Sequence, residues 1–375
     1  MHRKTYTPST EPEPRRKKGS YYLLIPTMLL AVILGLMIAT NGALVSPKSI
    51  FKLTPPPGTG KIESLLYNQL PEKLAELGHK DWALDDIEFS NDKDEAMLWM
   101  AEIDPETGEN TANEPHVILA LYSSETEQWQ LHTVEEDEFY ALLMNSSFAE
   151  SEIAMRFEQD DTKAVSKGIV YGGYKLPWRA GQTKRLTWSI GHNSCAPGYC
   201  TYAFDFADGT MFDLLAAKDG YVYHWKDSCA NFDSTCTNSI TLEDRSTSPW
   251  TYQIYLHIAK NSVPAAMKVK GAFVSQGMKI ANVDDTGYST GHHVHFMVVQ
   301  QTTLNLCKTY CWGKSVDITF RDVKINWDAA TQGGRPRMIG EADYYGGEGA
   351  NKYTSENVYR EAQQQWFLIL PFISK

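Results

Sequence analysis

Hydrophobic and polar positions divide the chain into stretches of different period. Between Gly19 and Pro47 no charged residue occurs, and Tyr21 to Thr40 is predominantly apolar. That length is enough to cross about 30 Å of hydrocarbon as a helix. From Lys61 to about Leu77 the residues Leu65, Leu66, Leu70, Leu74 and Leu77 recur at helical spacing. Val117–Tyr122 and Trp129–His132 read as two strands around the polar turn SSETEQ, and Phe139–Met144 as a further helix. From Gly168 the texture changes to short Val/Ile/Tyr/Trp/Thr runs alternating with Gly/Asn/Asp/Ser turns. These runs are Gly220–Trp225, Ser239–Leu242, Trp250–Ile258, Lys268–Val274, Lys279–Val283 and His293–Val299. Such spacing predicts a mainly β fold of mostly antiparallel strands.

The expected organisation is therefore a tail over 1–20, an anchor or signal peptide over 21–43 and a Pro/Gly linker over 44–60. A small acidic α+β module follows over 61–165, then the mainly β domain over 168–325 and a C-terminal extension over 326–375. In that extension Trp366–Ile373 (WFLILPFI) is too short to span a membrane as a helix and reads as a final packed strand.

Charge sharpens the topology. The net charge is −11, yet the first 20 residues hold six Lys/Arg against two Glu, so the other 355 carry 29 basic and 44 acidic residues, or −15. Arg15, Arg16, Lys17 and Lys18 precede the apolar stretch, with Tyr21 and Tyr22 at its edge. This bias keeps the tail in the cytoplasm and exports the body as a single-pass membrane protein. Cleavage near Asn41-Gly42-Ala43 would instead release it. So acidic a body lacks the basic footprint that nucleic-acid binding needs.

Ten histidines carry most of the candidate chemistry. His293-Val294-His295 on a probable strand places both imidazoles on one face. Gly287-Tyr288-Ser289-Thr290-Gly291-His292 feeds that strand, His257 follows Tyr255-Leu256, and Asp205 lies between Phe204 and Phe206. A carboxylate in that apolar setting needs a cation or a hydrogen-bond network. His192 stands thirteen residues before it. His79, His116 and His132, in the module, read as ordinary surface or turn residues. His292 reads as facing away from the cleft or rimming it, and His224 as structural. Nothing in 61–165 has metal-ligand spacing, and the partner of that module is unknown.

Together these residues resemble the lysostaphin/LytM-type zinc metallopeptidases that cut peptidoglycan peptides. The likeness rests on Asp205-Phe206-Ala207, Lys218–Val222, Tyr255-Leu256-His257, Val269–Gly277 and Ser289–Phe296. It implies an antiparallel β-sheet domain of the duplicated-hybrid-motif type. The family's usual H-x-x-x-D motif is not kept, because Thr201 stands four residues before Asp205. The Gly191-His192 loop is similar to that of the β-lytic (staphylolytic) branch, whose first histidine lies farther upstream. The resemblance thus assigns one Zn²⁺ to His192, Asp205 and His295, with His257 and His293 assisting the attacking water. The implied activity is extracytoplasmic hydrolysis of peptide bonds in peptidoglycan stems or cross-bridges. An inactive relative that binds cell wall or regulates another hydrolase is the alternative, and a secreted protease acting on proteins is a third.

Six cysteines, all at or beyond Cys195, suit an oxidising compartment. Spacing alone suggests the local pairs Cys195/Cys200, Cys229/Cys236 and Cys307/Cys311, one of fifteen possible pairings. Such bridges would stiffen loops rimming a cleft that Tyr202, Tyr288 and Trp312 could line.

Overall fold

The computed structural model describes residues 53–79, 81–103, 108–157, 169–189, 192, 194–196, 199–305, 307, 309–323 and 352–361. Leucines spaced four apart, Leu66, Leu70 and Leu74, form the buried stripe of α1 (Lys61–Glu76). This helix covers one face of an antiparallel sheet in chain order: β1 (Trp82–Phe89), β2 (Glu95–Glu102), β3 (His116–Ser123) and β4 (Gln128–Thr133). The run AMLWMA in β2 is buried on both sides. Ala96, Leu98 and Met100 face α1, whereas Met97 and Trp99 pack with α2 (Phe139–Asn145) and α3 (Glu152–Phe157). A strand covered on both faces loses its polar alternation, which is why β2 escapes a search for period two.

The second part contains thirteen strands among the described residues. They are β5 (Tyr171–Tyr174), β6 (Thr183–Trp188), β7 (Phe204–Ala207), β8 (Asp213–Leu215), β9 (Gly220–Lys226), β10 (Ser239–Asp244), β11 (Thr251–Leu256), β12 (Phe273–Val274), β13 (Lys279–Asn282), β14 (His293–Leu304), β15 (Gly313–Ser315), β16 (Ile318–Phe320) and β17 (Lys352–Thr354). Nine of them form one antiparallel sheet, ordered β12-β9-β10-β11-β14-β7-β6-β17, with β15 also paired to β14. The mainly β expectation thus holds, with one parallel pair, β16 with β5.

Period two divides β14. Val294, Phe296 and Val298 enter the main core with Phe204, Phe206 and Tyr255. Met297 and Val299 face the opposite side with Ile254, Leu256 and Trp312. His293 and His295 share that opposite face, so the core on one side of the sheet fixes the direction of the imidazoles on the other.

One strand expectation changes. Lys268–Val274 is strand only over β12, because Ala265–Met267 forms a 3₁₀ turn and Gly271 adopts φ +84°. The expected span at 21–43 and the expected strand at Trp366–Ile373 lie outside the described residues. Among the described residues no helix is long and apolar enough to cross a membrane.

Candidate metal centre

Register brings the predicted residues together. On β14, His295 lies opposite Asp205 of β7, and His293 opposite Ala207. Across the other edge of β14, Leu256 of β11 pairs with His295. The chain then turns at His257, whose φ of +62° is left-handed. A side chain held in that region requires its surroundings to fix it. Here the His257 carbonyl accepts a hydrogen bond from the Asp284 N–H at 2.8 Å, and its Nδ1 lies 2.7 Å from the Thr286 carbonyl.

His192 arrives on the irregular segment between β6 and β7. The Cys195–Cys200 disulfide closes part of this loop, and the other expected pairs, Cys229–Cys236 and Cys307–Cys311, are also formed. The His192 ring stacks on Trp188 at 4.7 Å, and its Nδ1 lies 2.7 Å from the Ser189 carbonyl. His293 Nδ1 is 3.0 Å from the Gly291 carbonyl and 3.1 Å from the Ser289 hydroxyl. In all three rings a backbone acceptor holds the proton on Nδ1 and leaves Nε2 with a free lone pair. Those Nε2 atoms are buried and make no hydrogen bond among the described residues.

Three histidines face one carboxylate. Asp205 Oδ2 is 3.2 Å from His192 Nε2 and 3.7 Å from His293 Nε2, and Oδ1 is 3.0 Å from His295 Nδ1. All five predicted residues are buried. Burial pushes the Asp205 carboxyl up, but the facing His192 and His293 outweigh it and hold it well below the usual range. Burial pushes His293 down to about 4, against the pull of Asp205. Burial also lowers His295, while in His192 the Asp205 charge overcomes burial and raises it. Imidazole nitrogens converging on an ionised carboxylate, with His293 and His295 shifted toward the neutral form, are a donor set that fits a divalent metal.

A residue that sequence reasoning passed over completes the cluster. Glu114, in the β2–β3 connection of the N-terminal module, is fully buried against the same histidines. Its Oε1 lies 3.4 Å from His295 Nδ1 and 3.5 Å from His257 Nε2. Its other oxygen accepts a hydrogen bond from the Ser194 hydroxyl. Ligand atoms of Glu114, His192 and His295 lie within 4.8 Å of one another, close enough to share a metal ion.

Glu114 is matched by Arg156 of α3, whose guanidinium nitrogen donates to Oε1 at 2.6 Å. Arg156 is itself buried among Tyr288, Tyr310 and Trp312, with its Nε donating to the Tyr310 hydroxyl at 3.0 Å. Burial pushes the Glu114 carboxyl up, yet Arg156 and then His295 hold it well below the usual carboxylate range.

The other histidines lie apart from this cluster. His292 Nδ1 lies 3.0 Å from Asp284 Oδ1, and His224 is half-buried on β9. His116, expected at the surface, is instead buried. It stacks on Trp82 at 4.0 Å, and its Nε2 sits 2.9 Å from Glu102. Tyr288 and Trp312 do border the site, whereas Tyr202 packs on the main core.

No curated protein matches the chain. Among solved structures, one similar chain belongs to the SpoIIQ–SpoIIIAH pore-forming complex, at 20% identity and TM-score 0.22, with 30% of this chain and 59% of that one covered. Another is the catalytic domain of a mutant of EnpA, a prophage-encoded M23 protein of Enterococcus faecalis (21%, TM-score 0.25, 38% and 93% covered). A third is Csd3 of Helicobacter pylori (17%, TM-score 0.23, 64% and 52% covered). The chain thus spans only 59% and 52% of the first and third of these. Residues 201–306, which include Asp205, His257, His293 and His295, match the profile of peptidase family M23. By that match and by its histidine pattern, this protein carries a peptidase domain of family M23, of the LytM type.

Proposed function

We propose that the protein is a zinc metalloendopeptidase that hydrolyses peptide bonds in peptidoglycan stems or cross-bridges on the outer side of the membrane. The carrying observation is the convergence of three buried histidines, His192, His293 and His295, on Asp205, with His257 packed beside His293. Their own rings and one carboxylate are all that such a site requires.

His192, Asp205 and His295 would hold the metal. When bound, zinc supplies Lewis acidity toward the scissile carbonyl and lowers the pKa of water toward about 7. The remaining work falls to the chain's own side chains. His257 and His293 stand with ring centroids 4.5 Å apart, both with Nε2 turned into the site. Unprotonated at Nε2, either ring can take the proton of the attacking water; protonated, it can donate to the developing oxyanion. The Thr286 and Gly291 carbonyls keep the two rings in the orientation this exchange needs. The enclosed setting excludes bulk water, which strengthens these interactions.

Tethering by residues 21–43 would place the domain beside its polymer, and the disulfides accord with an oxidising compartment. With a body at −15, recognition of an anionic wall would rest on peptide contacts rather than bulk attraction.

A second reading, an inactive member that binds wall or regulates another hydrolase, is favoured by one observation: Glu114 already fills the site. Muropeptide profiles separate the two. The Glu114→Gln chain is compared with the same chain also carrying His293→Ala. New fragments from the first, reduced on the order of 100-fold or more in the second, are expected of an enzyme. Absence of fragments from both would favour the binding reading.

A further inference from the structure

A second feature lies on the same face of the large sheet as the metal centre, toward the β12 edge. Register fixes the face: Glu243 of β10 stands opposite Tyr252 of β11 and Tyr221 of β9. Tyr252 packs with Met297 and Val299, on the side of β14 that also carries His293 and His295. Tyr223 meets Tyr252 edge-on at 4.8 Å, and Tyr221 meets Phe273 of β12 at 5.3 Å. Phe273 and Trp250, in the β10–β11 turn, are each 39% exposed. Exposed apolar rings rimmed by polar groups mark a binding surface.

Cations are set among these rings. Arg245 lies over Tyr221 at 4.2 Å and over Trp250 at 5.5 Å, and Lys270 over Tyr223 at 4.4 Å. Beside Tyr221 and Phe273 opens a cavity of about 430 Å³, which Gly173, Lys218, Arg245 and Arg321 also line. A Cβ on Gly173 would lie 3.3 Å from Lys218 Cε and 3.6 Å from Arg321 Nη2, so two cations converge across the bare glycine. Lys218 is matched by Asp244 at 2.7 Å and Arg245 by Glu243 at 2.6 Å, while Asp219 Oδ1 accepts from the Gln276 N–H. Arg321 and Lys270 have no ion-pair partner among the described residues.

We propose that this patch is an exosite for an anionic glycan strand, with sugar rings on Tyr221, Trp250 and Phe273 and carboxylates at Arg321 and Lys270. The proposal rests on the metallopeptidase reading for its purpose, since it makes the substrate a peptide still attached to its glycan. An exposed aromatic ring offers the C–H face of a sugar a flat apolar partner, and an unpaired guanidinium takes a carboxylate bidentately. With the body at −15, bulk charge repels such a polymer, so attraction is local, within a Debye length of about 8–10 Å. By register, Tyr221 lies about 14 Å along the strands and about 14 Å across them from His295, or about 20 Å diagonally. An extended peptide of about six residues covers that distance. One polymer can therefore rest its glycan on the exosite and present its peptide at the metal.

The test measures binding of the metal-free full chain to peptide-free glycan strands bearing free carboxylates, so that no hydrolysis is involved. Trp250→Ala and Arg321→Gln should each weaken binding about tenfold, the scale of a central aromatic or arginine contact. Amidating the glycan carboxylates should remove the effect of Arg321→Gln and leave that of Trp250→Ala. Met211→Ala, which trims an exposed apolar side chain elsewhere, should bind as wild type does. In the zinc form of the Glu114→Gln chain, adding either exosite variant should lower the preference for glycan-linked over free peptide, in kcat/KM, about tenfold. Strands that fail to bind, or that bind wild type and both variants alike, overturn the exosite whatever the activity. Binding of the free peptide but not of the glycan overturns it as well. Glycan binding that is weakened in both variants, with no hydrolysis by any chain, would keep the exosite and reject the peptidase reading instead.

Discussion

The Glu114–Arg156 pair gives the account its most quantitative exposure. Both side chains are 1% exposed or less, with N and O at 2.6 Å. Arg156→Met keeps a similar apolar volume among Tyr288, Tyr310 and Trp312 but strands the Glu114 carboxylate in a buried site. Breaking a buried pair by removing one partner costs about 3–5 kcal/mol. The loop has an alternative, which is to leave the cleft. It then loses the four hydrogen bonds involving Ala112, Asn113 and the Glu114 N–H, together about 2–6 kcal/mol at 0.5–1.5 each. The two costs are similar, so undocking caps the penalty near the pair's own value. Glu114→Gln strands Arg156 by the same logic. The double variant strands neither charge, and it should be no less stable than the worse single variant. Urea unfolding with the metal removed by chelation reads this directly, as a shift in midpoint at constant slope. Strictly additive losses, with coupling below about 0.5 kcal/mol, would refute the reasoning.

Other perturbations separate structure from site. Phe296→Ala, on the core face of β14 and packed 4.9 Å from Tyr255, should cost about 3–5 kcal/mol by calorimetry or denaturation. Metal retention in the folded fraction should stay unchanged, because the imidazoles lie on the opposite face. Gly287→Ala meets a φ of +75° and would place a Cβ 2.8 Å from the Thr237 Cα. It should lose more than about 1 kcal/mol and also slow hydrolysis, since the adjacent Thr286 carbonyl orients His257. Replacing Cys195 and Cys200 by Ser frees the loop that carries His192. Loop entropy puts the loss near 2 kcal/mol, and chelator competition should show weaker metal retention than in wild type.

Much of the site was legible because strand periodicity is short and rigid. His293 and His295 two apart on a strand share a face whatever the rest of the fold does, and Asp205 between two phenylalanines announced a buried charge. His192 could be placed only through the likeness of its loop to a known branch. The structure brings it to Asp205 over thirteen residues, by way of a disulfide-closed turn that no period predicts. Glu114 and Arg156 were not legible, for a physical reason. Each is a single charged residue on a loop or short helix, with no repeating neighbour, and their meaning lies in a contact 42 positions apart. Pro115, directly after Glu114, was the one local sign of an extended backbone there. His116 was misplaced for a related reason. Its aromatic partners Trp82 and Trp188 come from a different strand and from the other domain, so nothing beside it in sequence marks it as buried.

The central claim, that His192, Asp205 and His295 together hold a metal ion, is tested most directly by metal content. Wild type, His192→Ala and His257→Ala chains are dialysed against limiting free zinc and analysed for bound metal. Wild type and His257→Ala should each hold about one equivalent, because His257 is assigned to the water and not to the metal. His192→Ala should hold little. Equal occupancy in wild type and His192→Ala would contradict the assignment of the one ligand that lies outside the family's usual spacing.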